Sequence, residues 1–342
     1  MIQGTSTGLQ GHEVAVTVYQ LTRSSYQPRG NRGSQTNESQ RIAKKSRSPK
    51  VNALKDGRGV VGYLFSFDEA ETISVDEYKS GLQSTVVPVL FRSGGTGGRI
   101  EGTAFCIAVL TNGEALFATA RHVVEKLDEE AGIEPFLCLP RLLEDGQTQP
   151  NLVGIPIHQI CIANTNSDVA LLVIDQTVSR YPVEPLKWME LSLDEPEKDS
   201  LCMAVGYPQS TGDRSSVKMM ASRGVIEEVH PNKRDSVLSN FPSFQTTGLY
   251  KSGMSGSPIF DSKGYIMGVV SHGIESDDSG LVTGYGATIA GLLELRTDLH
   301  RDDGDIQEFT FPDLIEMRVV HVKSQQDVTL SRDDNGVTLN WA

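Results

Sequence analysis

Several ordinary signals are missing from this 342-residue sequence. Only four cysteines occur, Cys106, Cys138, Cys161 and Cys202, far apart and mostly inside apolar runs. None shows C-x-x-C spacing, so they read as buried free thiols, with no metal site. No apolar run approaches the roughly 20 residues that a membrane span needs, and no membrane contact is expected. The segment Met1-Ile2-Gln3-Gly4-Thr5-Ser6 has neither a charged start nor an apolar stretch after it. The expectation is therefore a reducing, cytoplasmic setting. The glycine cluster at 94–98 lacks the G-K-[ST] ending of a phosphate loop. No cofactor is expected, and there is no repeat of fixed period.

Basic charge is scarce as well, except in one place. The formal net charge is −13. From Thr22 to Lys50 eight Lys/Arg stand against Glu38, a local +7 that leaves −20 on the remainder. An acidic body disfavours nucleic acid as a partner and favours solubility. The basic stretch has almost no large apolar residue and cannot offset the entropy of ordering. It reads as a disordered linker over 22–59, after an N-terminal strand segment, 1–21, whose residues His12–Leu21 alternate in polarity.

What remains has 33 glycines and many short apolar runs bounded by turn residues. Thr85–Phe91, Gly102–Leu110 and Glu114–Thr119 read as strands, the last two joined at Asn112-Gly113 as a hairpin. A short helix follows at Val123–Leu127, then strands at Pro135–Leu139, Val153–Ile162 and Val169–Ile174. After a Pro- and acid-rich connection, 183–200, six more short strands lie between 201 and 289. Regular short strands predict an all-β chain of two six-stranded antiparallel β-barrels, about 85–190 and 191–299. Together they make one domain, 60–299. The segment 300–342 reads as a C-terminal β-hairpin extension around Asp334-Asn335-Gly336.

One stretch organises the chemistry: Lys251-Ser252-Gly253-Met254-Ser255-Gly256-Ser257-Pro258. Its glycines allow a tight turn that presents the Ser255 hydroxyl. A hydroxyl is a weak nucleophile until a base and an orienting carboxylate are supplied. His122 stands at a strand end after Ala118-Thr119-Ala120 and is the candidate base. Asp168 heads the apolar strand Val169–Ile174, where a carboxylate needs a partner such as an imidazole N–H.

These motifs, Thr119-Ala-Arg-His122-Val, Asp168-Val-Ala-Leu-Leu172 and Gly253-Met-Ser255-Gly-Ser-Pro258, resemble the three active-site motifs of chymotrypsin-fold (trypsin-like) serine peptidases. The likeness is greatest to the bacterial trypsin-like and HtrA-type branch. Gly102-Thr-Ala-Phe-Cys-Ile107, Val205-Gly-Tyr-Pro208 and Arg223-Gly-Val-Ile226 agree with it, and it spans about residues 85–295. The resemblance implies a serine endopeptidase that acts through an acyl-enzyme. Ser255 would be the nucleophile, His122 the base, and Asp168 its orienting acid. The N–H groups of Gly253 and Ser255 would form the oxyanion hole. Ser271, His272 and Gly273 would pair with an extended polypeptide substrate, and Leu249 would lie in the pocket for the residue before the cleaved bond.

Departures from the pattern also carry information. Met254 replaces the acid of zymogen-activated members, and Val123 replaces a common disulfide cysteine. Leu249 favours an uncharged substrate residue, although Glu275, Asp277 and Asp278 remain candidates to reach the pocket. Two alternatives stand beside the peptidase. One is a catalytically silent, peptidase-like scaffold that binds peptides. The other is an esterase built on G-x-S-x-G, with Asp277 and His300 completing its order, but Ser257 breaks that motif. An activating or regulatory protein partner is expected to act through the termini.

Overall fold

The Ala115–Ala120 run has no polar residue but Thr119, and the structure buries every residue from Glu114 to Ala120. Such a strand needs both of its faces covered. The computed structural model describes residues 16–20, 82–93, 99–125, 133–142, 148–163, 166–209, 219–275, 282–301, 304–323, 328–333 and 336–341. The linker expected over 22–59 lies outside the described residues, as do Asp277, Asp278 and the turn at 94–98.

The first barrel contains β2 (Val86–Ser93), β3 (Arg99–Val109), β4 (Glu114–Ala120), β5 (Ile133–Leu142), β6 (Thr148–Ala163) and β7 (Val169–Asp175). They pair antiparallel in the ring β2-β3-β4-β7-β6-β5, which β2 closes against β5. The N-terminal strand β1 (Val16–Gln20) adds to the β6 edge, with Val16 opposite Ala163. Register shifts at Val89/Leu90 and Cys106/Ala108 mark irregularities that let the sheet curl. Gly113 takes φ +94° in the β3–β4 turn, which suits glycine.

The second barrel contains β8 (Leu201–Gly206), β9 (Met220–His230), β10 (Ser243–Thr246), β11 (Pro258–Asp261), β12 (Ile266–Glu275) and β13 (Val282–Thr288). Its closed order is β10-β13-β12-β11-β8-β9. Its core includes Phe244, Tyr250, Met254, Ile259, Met267 and Val270. Strand β10 stops at Thr246, whose hydroxyl accepts the Gly248 N–H and turns the chain. Two closed six-stranded antiparallel barrels are thus the architecture that the sequence pattern predicted.

Past the second barrel, and beyond residue 295, the chain forms elements that its pattern did not reveal. A 3₁₀ turn (289–294) leads to a hairpin of β14 (Arg296–His300) and β15 (Ile306–Thr310), then α2 (Phe311–Glu316). Thr310 and Asp313 form a reciprocal capping box at the start of α2. Phe309, Phe311, Leu314, Val319 and Val320 are buried in the same cluster as Trp188, Leu191 and the first-barrel core. Leu191, between the barrels, bridges both Ile266 and Val322. Residues 304–323 therefore pack against the body. The hairpin expected near the end forms as β16 (Val328–Asp333) and β17 (Gly336–Trp341), a two-stranded sheet of its own. Among the described residues no helix is long and apolar enough to cross a membrane.

Candidate active site

Pairing between β4 and β7 places the first two site residues. Its register ends at Ala120 opposite Val169. The next contact is Arg121 N–H to the Asp168 carbonyl at 3.2 Å. There the chain turns into α1 (Arg121–Glu125), where the sequence had suggested 123–127. His122 lands in its first turn beside the Asp168 carboxylate. Its backbone N–H donates to Asp168 Oδ1 at 3.0 Å. Its Nδ1 lies 2.9 Å from Oδ2 and 3.0 Å from Oδ1. With both carboxylate oxygens there, Nδ1 carries the proton and Nε2 is left to accept.

Asp168 is 6% exposed. Burial alone would raise its pKa. The His122 hydrogen bond and charge, the Ser271 hydroxyl and the His122 backbone N–H outweigh burial and hold the carboxyl below its usual value. Ser271 Oγ donates to Asp168 Oδ2 at 2.5 Å.

Ser255 comes from the turn entering β11. Met254 N–H donates to the Lys251 carbonyl, and Ser257 N–H to the Met254 carbonyl, both at 2.9 Å. Gly253 (φ +89°) and Gly256 (φ +87°) both take the left-handed conformation that favours glycine. Met254, fully buried, anchors the turn in the second core. Gly256 also lets the barrels approach: a Cβ there would lie 2.0 Å from Thr103 O and 2.3 Å from Thr119 Oγ1. Thr103 N–H donates across the interface to the Ser255 carbonyl at 2.8 Å. The Ser255 hydroxyl donates to the Ser271 carbonyl at 3.1 Å. In this rotamer its proton is not directed at the imidazole.

The same turn holds two amides, those of Gly253 and Ser255, outside its own hydrogen bonds. Gln209 N–H donates to the Ser252 carbonyl at 2.7 Å and turns that oxygen away from Ser255. Among the described residues no backbone carbonyl takes the N–H of Gly253 or Ser255. Paired amides with no internal acceptor can hold an oxyanion. Thr103 steadies this arrangement: its hydroxyl donates to the Gly253 carbonyl and accepts the Tyr207 N–H, each at 3.0 Å. Sequence reasoning did not single out Thr103 or Gln209. The Gly102-Thr103 and Gly206-Tyr207 pairs were the available signal, since a Cβ on Gly206 would collide with Ser257 Oγ.

A cavity of about 540 Å³ opens beside the pair, lined by His122, Asp168, Ser271, His272, Leu238 and Phe241. Ser271 and His272 therefore reach the site. Gly273 is exposed on β12 and pairs in register with Gly284 of β13. Tyr250 fills the space behind that pair: a Cβ on Gly284 would lie 2.5 Å from its ring, and one on Gly273 2.4 Å from its carbonyl. Leu249 is half-buried beside it. Glu275 ends β12. His300, the third member of the esterase order, is bound elsewhere, its Nδ1 2.5 Å from Glu114 Oε1. Among the described residues no group of three His, Cys, Asp or Glu is disposed to hold a metal.

Residues 102–269 match the family model described as the trypsin-like peptidase domain. No curated protein matches. Solved structures similar to this chain include that of Deg5, at 19% identity over 60% of this chain and 84% of that one (TM-score 0.42). The HtrA-type protease AlgW with tripeptide is 19% identical over 60% of this chain and 57% of its own (TM-score 0.39). The apo MamO protease domain from Magnetospirillum magneticum is 15% identical over 60% of this chain and 92% of its own (TM-score 0.41).

Proposed function

Because the chain carries a trypsin-like peptidase domain, we propose that it is a serine endopeptidase with Ser255, His122 and Asp168 as its catalytic residues. The observation that carries this reading is the Asp168–His122 pair, held at 2.9 and 3.0 Å beside Ser271, whose carbonyl accepts the Ser255 hydroxyl. A polypeptide would lie extended along Ser271, His272 and Gly273, its main chain pairing with that edge. Rotation of the Ser255 side chain brings its hydroxyl from the Ser271 carbonyl to His122 Nε2. As Oγ bonds to the scissile carbonyl carbon, Nε2 takes the proton, and the oxyanion is met by the Gly253 and Ser255 N–H groups. Collapse breaks the C–N bond, and His122 returns the proton to the leaving amine. Water then repeats the sequence on the acyl-enzyme. Asp168 keeps the imidazole in the Nδ1–H tautomer and stabilises its charged form.

Tyr250 behind the Gly273–Gly284 pair leaves little depth, which supports a short, uncharged residue before the cleaved bond. The termini are proposed to dock a regulatory protein, in a cytoplasmic setting. Since 304–323 packs in the core, that idea is tested by removing 1–55 or 324–342.

Mapping of new N-termini in a proteome exposed to the wild type and to Ser255→Ala tests the enzyme. Cleavages present only with the wild type support it. One observation favours the silent scaffold instead, the Ser255 hydroxyl directed at Ser271 O. That reading requires peptides to bind and no cleavage to occur.

A further inference from the structure

Ser271 and His272 are adjacent on β12, and both side chains turn toward Asp168. The Ser271 hydroxyl has one proton, and the 2.5 Å contact gives it to Asp168 Oδ2. The same oxygen lies 3.1 Å from His272 Nδ1. It can only accept there, so Nδ1 of His272 carries a proton. Nε2 is buried and has no hydrogen-bond partner among the described residues. The ring is clamped from one side by Tyr285, stacked at 4.7 Å and 21°. Tyr285 in turn lies under the Arg234 guanidinium, 4.5 Å from its centroid.

Taking as given the reading of His122 as base and Asp168 as its orienting acid, we propose that His272 is a positioning residue for the triad. Its Nδ1–H locks the Ser271 hydroxyl onto Asp168, and so fixes the carboxylate that orients His122. The chain of donors runs His272 Nδ1–H to Ser271 Oγ, Ser271 Oγ–H to Asp168 Oδ2, with His122 Nδ1–H on the same carboxylate. Polarised chains of this kind strengthen each member.

The charged groups that bear on His272 are Asp168 and His122 from the first barrel, and Arg234 and Asp235 from the β9–β10 connection. Burial pushes its pKa below the ordinary imidazole value, with His122 and Arg234 adding to burial and Asp168 and Asp235 opposing it. A proton on Nε2 would be buried without an acceptor. The neutral tautomer therefore persists at neutral pH, and the donor to Ser271 is in place where the triad works.

Two variants separate donation from packing. His272→Phe keeps a ring to stack on Tyr285 and removes the donor. His272→Asn keeps an N–H near the Nδ1 position and loses the stack. For hydrolysis of a peptide cleaved by the wild type, His272→Phe is expected to lower kcat about 5-fold with KM within about 2-fold, the worth of one neutral hydrogen bond. His272→Asn is expected to recover most of kcat. A His272→Phe enzyme as fast as wild type, or a His272→Asn enzyme as slow as the Phe variant, overturns the proposal. The tautomer is read separately, from the ¹⁵N shifts of His272 in the full-length Ser255→Ala protein at neutral pH. A protonated Nδ1 with bare Nε2 supports the proposal, and the reverse overturns it. Because that spectrum needs no turnover, it tests the His272 Nδ1–H donation to Ser271 separately from whether the wild type hydrolyses peptides.

Discussion

Ser271 Oγ donates to Asp168 Oδ2 at 2.5 Å across 103 residues of sequence, so a β12 side chain of one barrel completes the carboxylate site at the head of β7 in the other. Asp168 is thus held as an ion by groups from both barrels, against the cost of burying it.

That arrangement sets a pH dependence. The folded-state pKa of Asp168 is depressed, so its ionised form adds stability above the unfolded value of about 3.9, and this is lost as pH falls through the folded value. Thermal melts of the wild type and Asp168→Asn between about pH 7 and pH 2.5 check this. The wild type is expected to lose stability relative to the variant as the pH drops below about 4. A constant difference across that range would show that Asp168 is not held by these contacts.

Gly256 brings the Ser255 turn close against the first barrel. Gly256→Ala would set a methyl 2.0 Å from Thr103 O while also forcing φ +87° on an L side chain. The backbone term alone costs about 1–2 kcal/mol, and the clash adds to it. Chemical denaturation should show a loss of at least about 2 kcal/mol, and reactivity at Ser255 should disappear. Wild-type stability in the variant would mean that the two barrels can part at this seam.

How much of this was readable in advance follows from where each feature's cause lies. The strands around Phe105, Phe117 and Leu171 declare themselves because local apolar runs and the Asn112-Gly113 turn suffice to specify them. His122, Asp168 and Ser255 were visible because each sits in its own local frame of small or apolar residues. The Ser271 hydroxyl was different: the pattern suggested only main-chain contact with substrate, and its bond to Asp168 exists solely through the meeting of the barrels. The β14–β15 hairpin and α2 were missed for a related reason. Arg296, Asp298, His300, Gln307 and Glu308 dilute the apolar signal there, while Leu299, Phe309 and Leu314 find their partners near Trp188 and Leu191, more than a hundred residues away.

Glu114 ties that hairpin to the first barrel. Although buried, its carboxylate accepts from Asn112 Nδ2 at 2.9 Å and from the His300 backbone N–H at 3.1 Å, with His300 Nδ1 at 2.5 Å. Glu114→Ala strands these donors, and an unfolding titration should show a loss of about 1–3 kcal/mol. Proteolysis near Gly304 should accelerate in parallel. Unchanged stability would assign the hairpin's docking to its apolar contacts alone.

Chain truncation distinguishes the two C-terminal pieces. A chain ending at residue 326 loses only the β16–β17 sheet and should melt within about 2 °C of the full length, a shift expected for a change below about 0.5 kcal/mol. A chain ending at 303 loses Phe309, Phe311 and Leu314 from the core and should fail to fold. Leu314→Ala, a milder version, is expected to cost about 2–5 kcal/mol. Equal melting of both truncations would contradict the packing described.

The most direct measurement is covalent labelling by a fluorophosphonate probe, with the modified residue located by mass spectrometry. The probe requires an activated serine hydroxyl and an oxyanion hole and needs no knowledge of the natural substrate. The account predicts a single adduct on Ser255, absent in Ser255→Ala, abolished or nearly so in His122→Ala, and retained in Ser252→Ala. No adduct in the wild type, or an adduct on another serine, would contradict it.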